Sequence, residues 1–153
     1  MGKNPLIILG ADHAGFKIKE FIKRELLKKN YPLQDVGTFS LKRVDYPDYA
    51  EKLALEVRKN KQRKGILACG TGIGASIAAN KIAGIRAALV SNSRDARLSI
   101  EHNNANVLVL GGRHQRRLKK ISNLEKKYLG AAEQTKRIQG FEGSRKKGPD
   151  RSS

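Results

Sequence analysis

A single cysteine, no tryptophan and four prolines in 153 residues set the first limits on this chain. One cysteine forms no internal disulfide, so stability must come from an apolar core, which a chain of this length can build as one domain. The missing disulfide framework fits a reducing compartment. The apolar run at 6–9 is too short for a secretory core or a membrane span, so we expect a cytoplasmic protein with no membrane segment. Aromatic residues make up 5% of the chain and show neither a stacking pattern nor zinc-ligand spacing. Sequence-specific nucleic-acid recognition has no support from them.

Acidic residues are scarce as well. There are 32 Lys and Arg against 14 Asp and Glu, a net charge of +18. Residues 113–153 hold thirteen of those basic side chains and four of the acidic ones, half of the total excess. A field of this sign gathers anions and speeds their arrival. Phosphorylated metabolites and nucleic acid both answer that description, and a solvated basic face explains part of the charge without any partner.

What is present is an alternation of short apolar runs with longer helical patterns. Strands are predicted at 5–10, 33–36, 64–68, 86–90 and 107–110. Helices are predicted at 15–29, 47–59, 73–81 and 93–102, the first with Phe16, Ile18, Phe21, Ile22, Leu26 and Leu27 toward the core. Parallel neighbours need crossover connections, so this order predicts an α/β protein: a three-layer α/β/α, Rossmann-like fold around a five-stranded parallel sheet. Ligands of such sheets bind at the carboxyl ends of the strands. The polar residues cluster there, with Asp12 and His13 after the first strand, Cys69 to Gly74 after the third, Ser91 and Asn92 after the fourth, and Gly111 to Arg113 after the fifth. Beyond Arg113, residues 116–129 have the pattern of a basic helix, and disorder is predicted after about Gln139.

The most informative segment is Leu67-Ala68-Cys69-Gly70-Thr71-Gly72-Ile73-Gly74, where a strand, a glycine turn and a helix start meet. Amides at a helix start lack intrahelical partners, and with the helix dipole they suit a phosphate, carboxylate or enolate oxygen. The same field would lower the pKa of the Cys69 thiol and make it a base or nucleophile near neutral pH. The plainer reading is a tight turn beside a small buried hydrophobe. A dinucleotide site is disfavoured, because its glycines would be spaced wider and an acid would end the next strand, where Ser91 and Asn92 stand. Asp12 reads either as a helix cap or as a partner for a sugar hydroxyl, and His13 either as a surface residue or as a phosphate ligand. His102 closes a helix, where the dipole favours its protonated form.

Several segments, in order, resemble the sugar-phosphate isomerase family that contains ribose-5-phosphate isomerase B and the allose- and galactose-6-phosphate isomerases. They are Gly10-Ala11-Asp12-His13-Ala14-Gly15-Phe16-Lys17, Val44-Asp45-Tyr46-Pro47-Asp48-Tyr49-Ala50, residues 65–74 continuing to Asn80-Lys81, Gly84-Ile85-Arg86-Ala87, and His102-Asn103-Asn104-Ala105-Asn106-Val107. The resemblance implies interconversion of D-ribose 5-phosphate and D-ribulose 5-phosphate through a cis-enediolate, with no metal and no cofactor. It implies Cys69 as the base, supported by Thr71, with the amides of Gly70, Gly72, Ile73 and Gly74 on the enediolate oxygen. It further implies His102 as the acid that opens the ring, with Asp12 assisting at a hydroxyl, Asn103 binding substrate, and His13, Arg113 and Arg117 at the phosphate. The family also implies a homodimer with shared sites, in which His102 serves the neighbour's Cys69.

One departure stands out. The family pattern has a glycine–arginine triplet at the end of strand five, then a helix, then a second such segment; here Gly111-Gly112-Arg113 runs directly into His114-Gln115-Arg116-Arg117. The intervening helix is absent from the sequence. We therefore read 1–129 as the isomerase-like domain and 130–153 as a basic tail. A second functional reading is a catalytically weak domain of this type whose tail binds nucleic acid or another polyanion.

Overall fold

The computed structural model describes residues 3–111. The helix expected at 116–129 and the tail from 130 lie outside them. The elements are β1 (Ile7–Ala11), α1 (Phe16–Lys28), β2 (Leu33–Asp35), α2 (Tyr46–Arg58), β3 (Lys64–Cys69), α3 (Ile73–Asn80), β4 (Ala87–Val90), α4 (Ser93–Asn103) and β5 (Val107–Gly111). Every expected strand and helix within these residues forms, with ends shifted by no more than two residues.

The five strands make one parallel sheet in the order β2-β1-β3-β5-β4. β1, β3 and β5 are interior strands, and β1 is buried along its whole length, as an unbroken apolar run in a parallel sheet should be. The chain steps one way across the sheet through α1 and α4 and the other way through α2 and α3. Right-handed crossovers therefore put those pairs on opposite faces. The larger core lies under α2 and α3, where Leu53, Ala54, Val57, Ala75 and Ala79 meet Ile8, Leu67, Val107 and Val109. The smaller gathers Ala11, Ile18 and Ala68 under α1, with Ile22 and Leu110 at its margin.

Two features of the α1 face differ from the expectation. Phe21 and Leu27 are 49% and 53% exposed, because the apolar arc of α1 is wider than the strip that meets the sheet. Lys19 is buried instead, its side chain wholly inaccessible and ion-paired with Asp35 and Glu20. On the same face α4 buries no residue, and Ile66, Leu108 and Leu110 remain half-buried. At the outer edge, the Asn80 side chain accepts from the Ala87 N–H and donates to the Ala87 carbonyl, both at 2.8 Å, occupying the place a further strand would take. Among the described residues no helix is long and apolar enough to cross a membrane.

Candidate active site

Ala11 and Ala68 are register partners on adjacent strands, so the residues that follow them leave the sheet side by side. Those residues are Asp12 and Cys69. The thiol Sγ donates to Asp12 Oδ2 at 3.2 Å, and the Gly15 N–H donates to Asp12 Oδ1 at 2.9 Å. Both side chains belong to residues only 6% exposed. The contact depends on glycine at position 15, since a Cβ there would collide with the Ala68 carbonyl and the Cys69 nitrogen. Asp12 is therefore not the helix cap that the sequence suggested: Gly15 caps α1, and Asp12 holds the turn before it while accepting from the thiol.

The thiol does not behave as the sequence reading expected. Burial pushes its pKa up, and the hydrogen bond and charge of Asp12 push in the same direction. The amides of Gly70 and Gly72 pull downward and are outweighed. The expected lowering rested on the helix field alone and left out both the burial of the thiol and the carboxylate that follows β1, 57 residues earlier in the chain.

The loop from Cys69 to α3 has the anticipated form. Gly72 caps α3 in the left-handed region at φ +80, where an L side chain is strained, and a Cβ there would also strike Leu89. Thr71 is exposed, and its Oγ1 accepts from the Ile73 N–H at 3.3 Å, steadying the turn. Gly70 and Gly74 are half-buried, Gly72 is buried and Ile73 faces outward. Gly74 touches a residue absent from the expected site: a Cβ there would stand 2.5 Å from the Tyr46 ring and hydroxyl. Tyr46 therefore borders the start of α3. The Tyr46-Pro47 pair opening α2 was the available signal, since proline in the first turn fixes where that helix begins.

The remaining candidates divide between two ends of the sheet. His13 is at the Cys69 end, but its Nδ1 is engaged with the backbone of Val44, 3.1 Å from the carbonyl and 3.2 Å from the nitrogen, which leaves Nε2. Asn92 caps α4 by accepting from the Asp95 N–H at 2.8 Å. His102 and Asn103 end α4, which runs back against the strands. The Asn103 carbonyl accepts from Arg86, just before β4 begins, so these residues lie at the amino ends of the strands. A five-residue strand such as β5 spans roughly 13 Å between its end residues, so one copy of the chain does not bring His102 or Asn103 to Cys69. An open hollow of about 450 Å³ lined by Asn80, Arg86, Ser99 and Asn103 is also at that far end. Arg113 and Arg117 lie outside the described residues. Gly111, paired in register with Cys69, is the last described residue before them.

Known proteins carry the same arrangement of elements and motifs. The ribose/galactose isomerase family model matches residues 7–142. Ribose-5-phosphate isomerase B of Escherichia coli is 49% identical over 107 residues, which are 70% of this chain and 72% of that protein. The crystal structure of a ribose 5-phosphate isomerase from Thermotoga maritima superposes with a TM-score of 0.69 at 51% identity, covering 71% of this chain and 75% of that one. The Mycoplasma genitalium ribose-5-phosphate isomerase B, solved with bound ribulose-5-phosphate, gives a TM-score of 0.69 at 36% identity over 82% of this chain and 99% of that one. With this fold, this loop and these relatives, the chain belongs to the ribose/galactose isomerase family.

Proposed function

We propose that this protein is an aldose–ketose isomerase that interconverts D-ribose 5-phosphate and D-ribulose 5-phosphate through a cis-enediolate. The observation that carries the reading is the Asp12–Cys69 pair beside the α3 amides, at the carboxyl ends of two central strands of a chain from this family. Cys69 moves a proton between the two carbons of the developing enediolate. Thr71 and the amides of Gly70, Gly72, Ile73 and Gly74 hold the charge that appears on its oxygen, where fixed donors act most strongly. Asp12 takes a sugar hydroxyl, and His13 turns Nε2 toward the phosphate, which Arg113 and Arg117 complete.

His102 opens the furanose ring as an acid and Asn103 binds substrate, but both act in the site of a second copy. Their position at the far end of the sheet from Cys69 supports a homodimer with sites shared between subunits. We place the protein in the cytoplasm, with residues 1–129 as the isomerase domain and 130–153 as a basic tail. The concentration of charge in 113–153 supports a second reading, a weakly active domain whose tail binds nucleic acid or another polyanion.

The deciding experiment is turnover of ribose 5-phosphate to ribulose 5-phosphate by the purified protein beside Cys69→Ala. Turnover lost in the variant supports the isomerase. A folded wild-type protein without turnover rejects it and favours the second reading.

A further inference from the structure

The proposed base and the surroundings of Cys69 stand in tension. A base must be able to give up its own proton, yet Sγ is buried and points that proton at a buried carboxylate. Loss of the proton to solvent would leave two anions 3.2 Å apart in an enclosed site, which is a costly arrangement. Transfer of the proton within the pair creates no additional charge.

The surroundings make Asp12 the relevant acceptor. Just after β1 the group facing Sγ is Asp12 itself, and the loop before α3 contributes the amides of Gly70 and Gly72. From α2 the Tyr46 phenol rests on Gly74 rather than on the thiol, and from β5 the register partner is Gly111, with no side chain. The close fit of Gly15 against Ala68 and Cys69, together with its N–H on Oδ1, holds the carboxylate in place and leaves Oδ2 for the thiol.

We propose that Asp12, beyond its place at a sugar hydroxyl, governs Cys69: its Oδ2 holds the thiol proton aimed until substrate is in place, then receives that proton as the base forms. This rests on the role proposed for Cys69 above. The transfer breaks the S–H bond and forms an O–H bond, leaving a thiolate beside a neutral carboxyl. The thiolate takes the proton from the carbon next to the sugar carbonyl, and that C–H electron pair moves through the new double bond onto the carbonyl oxygen. The hydroxyl proton passes between the two cis oxygens, Sγ delivers its proton to the neighbouring carbon, and Oδ2 returns the proton it held. Every proton is accounted for and the pair regains its starting form.

The single cysteine makes the test direct, because the thiolate absorbance of the full-length protein, taken as a difference against Cys69→Ala, reports one group. The wild-type midpoint is expected above the ordinary thiol value of about 8.5. In Asp12→Asn, which retains an oxygen for the Gly15 N–H, the midpoint is expected to fall by about one pH unit or more. Turnover of that variant is nevertheless expected to drop by about 10²-fold, since both the proton acceptor and the partner of the sugar hydroxyl are altered, and the midpoint is the readout that isolates the coupling. A wild-type midpoint at or below the ordinary value overturns the proposal, and so does an unmoved midpoint in Asp12→Asn. Burial alone also raises the thiol, so the variant carries the decision, and Asp12→Ser, with the same expected fall, replaces Asp12→Asn if that protein does not fold. A shifted midpoint in a protein with no turnover keeps the coupling of the pair and rejects the isomerase reading instead.

Discussion

Lys19 and Asp35 form a buried ion pair, with Nζ 2.5 Å from Oδ2, the lysine side chain fully inaccessible and the aspartate side chain 8% exposed. Asp35 also accepts from Lys23 at 3.0 Å and from the Gly37 N–H at 2.9 Å. The Phe16 and Phe39 rings lie 5.5 and 5.1 Å from Nζ. This pair ties α1 to the end of β2, from which the chain turns to hydrogen-bond the end of β1 through Gly37 and Thr38. It therefore supports the backbone next to Asp12.

Burial acts to raise the Asp35 carboxyl, but the hydrogen bonds from Lys19, the Gly37 N–H and Lys23 outweigh it and hold the group below the usual carboxylate range. A depressed folded value contributes stability above the unfolded pKa of about 3.9, and that contribution is lost as pH falls through the folded value. Asp35→Asn is expected to lose about 3 kcal/mol at neutral pH, since it strands a buried lysine. The difference from wild type should shrink below about pH 4. Urea denaturation across that range measures it, and equal stability at neutral pH would refute the buried pair as a support.

Gly15→Ala should destabilise by about 3 kcal/mol, because its Cβ meets rigid backbone at Ala68 and Cys69 and α1 must shift to admit it. Turnover should fall with it as Asp12 leaves the thiol. Thermal melts and activity at a permissive temperature separate the two effects, and a variant as stable as wild type would contradict the close packing.

Cys69→Ala should keep the fold, as it trims one small group from the core, while losing turnover. Wild-type turnover should survive a metal chelator. Retained activity in the variant would remove the thiol from the chemistry.

His102→Ala should be inactive on its own, as should Cys69→Ala. If sites are shared, a mixture of the two allowed to exchange subunits should regain turnover, because mixed dimers hold one site with both residues. No recovery, with exchange demonstrated independently, would place both residues in the service of one copy.

Removing residues 130–153 should leave turnover unchanged. Binding of a labelled oligonucleotide to the intact chain should be weak and fall steeply with added salt, as a phosphate-driven interaction does. Tight binding that persists at high salt would favour a dedicated nucleic-acid role.

The arrangement of strands and helices was legible because each depends on local periodicity and turn chemistry, as in the apolar run of β1 or the glycine turn before α3. Asp12, Cys69 and the loop glycines were legible as a cluster because parallel topology gathers strand ends. What could not be read were partnerships set by tertiary approach. Lys19 looks like any helix-surface lysine until Asp35, sixteen residues on, is placed beside it. His13 gives no sign in sequence that the Val44 backbone, 31 residues later, will take its Nδ1. The thiol's upward shift likewise arises from burial first and then from a carboxylate that follows another strand. Arg113 and Arg117 remain known from sequence pattern alone.

The bond pair between Asn80 and Ala87 bears on how the molecule behaves in a crowd. An outer parallel strand with free amides and carbonyls is a template on which another chain can extend the sheet, the first step toward fibrils. At Ala87 an amide side chain from α3 already fills that place. Another chain adding a strand at this point would first have to break both bonds, so the edge is closed to sheet extension at Ala87.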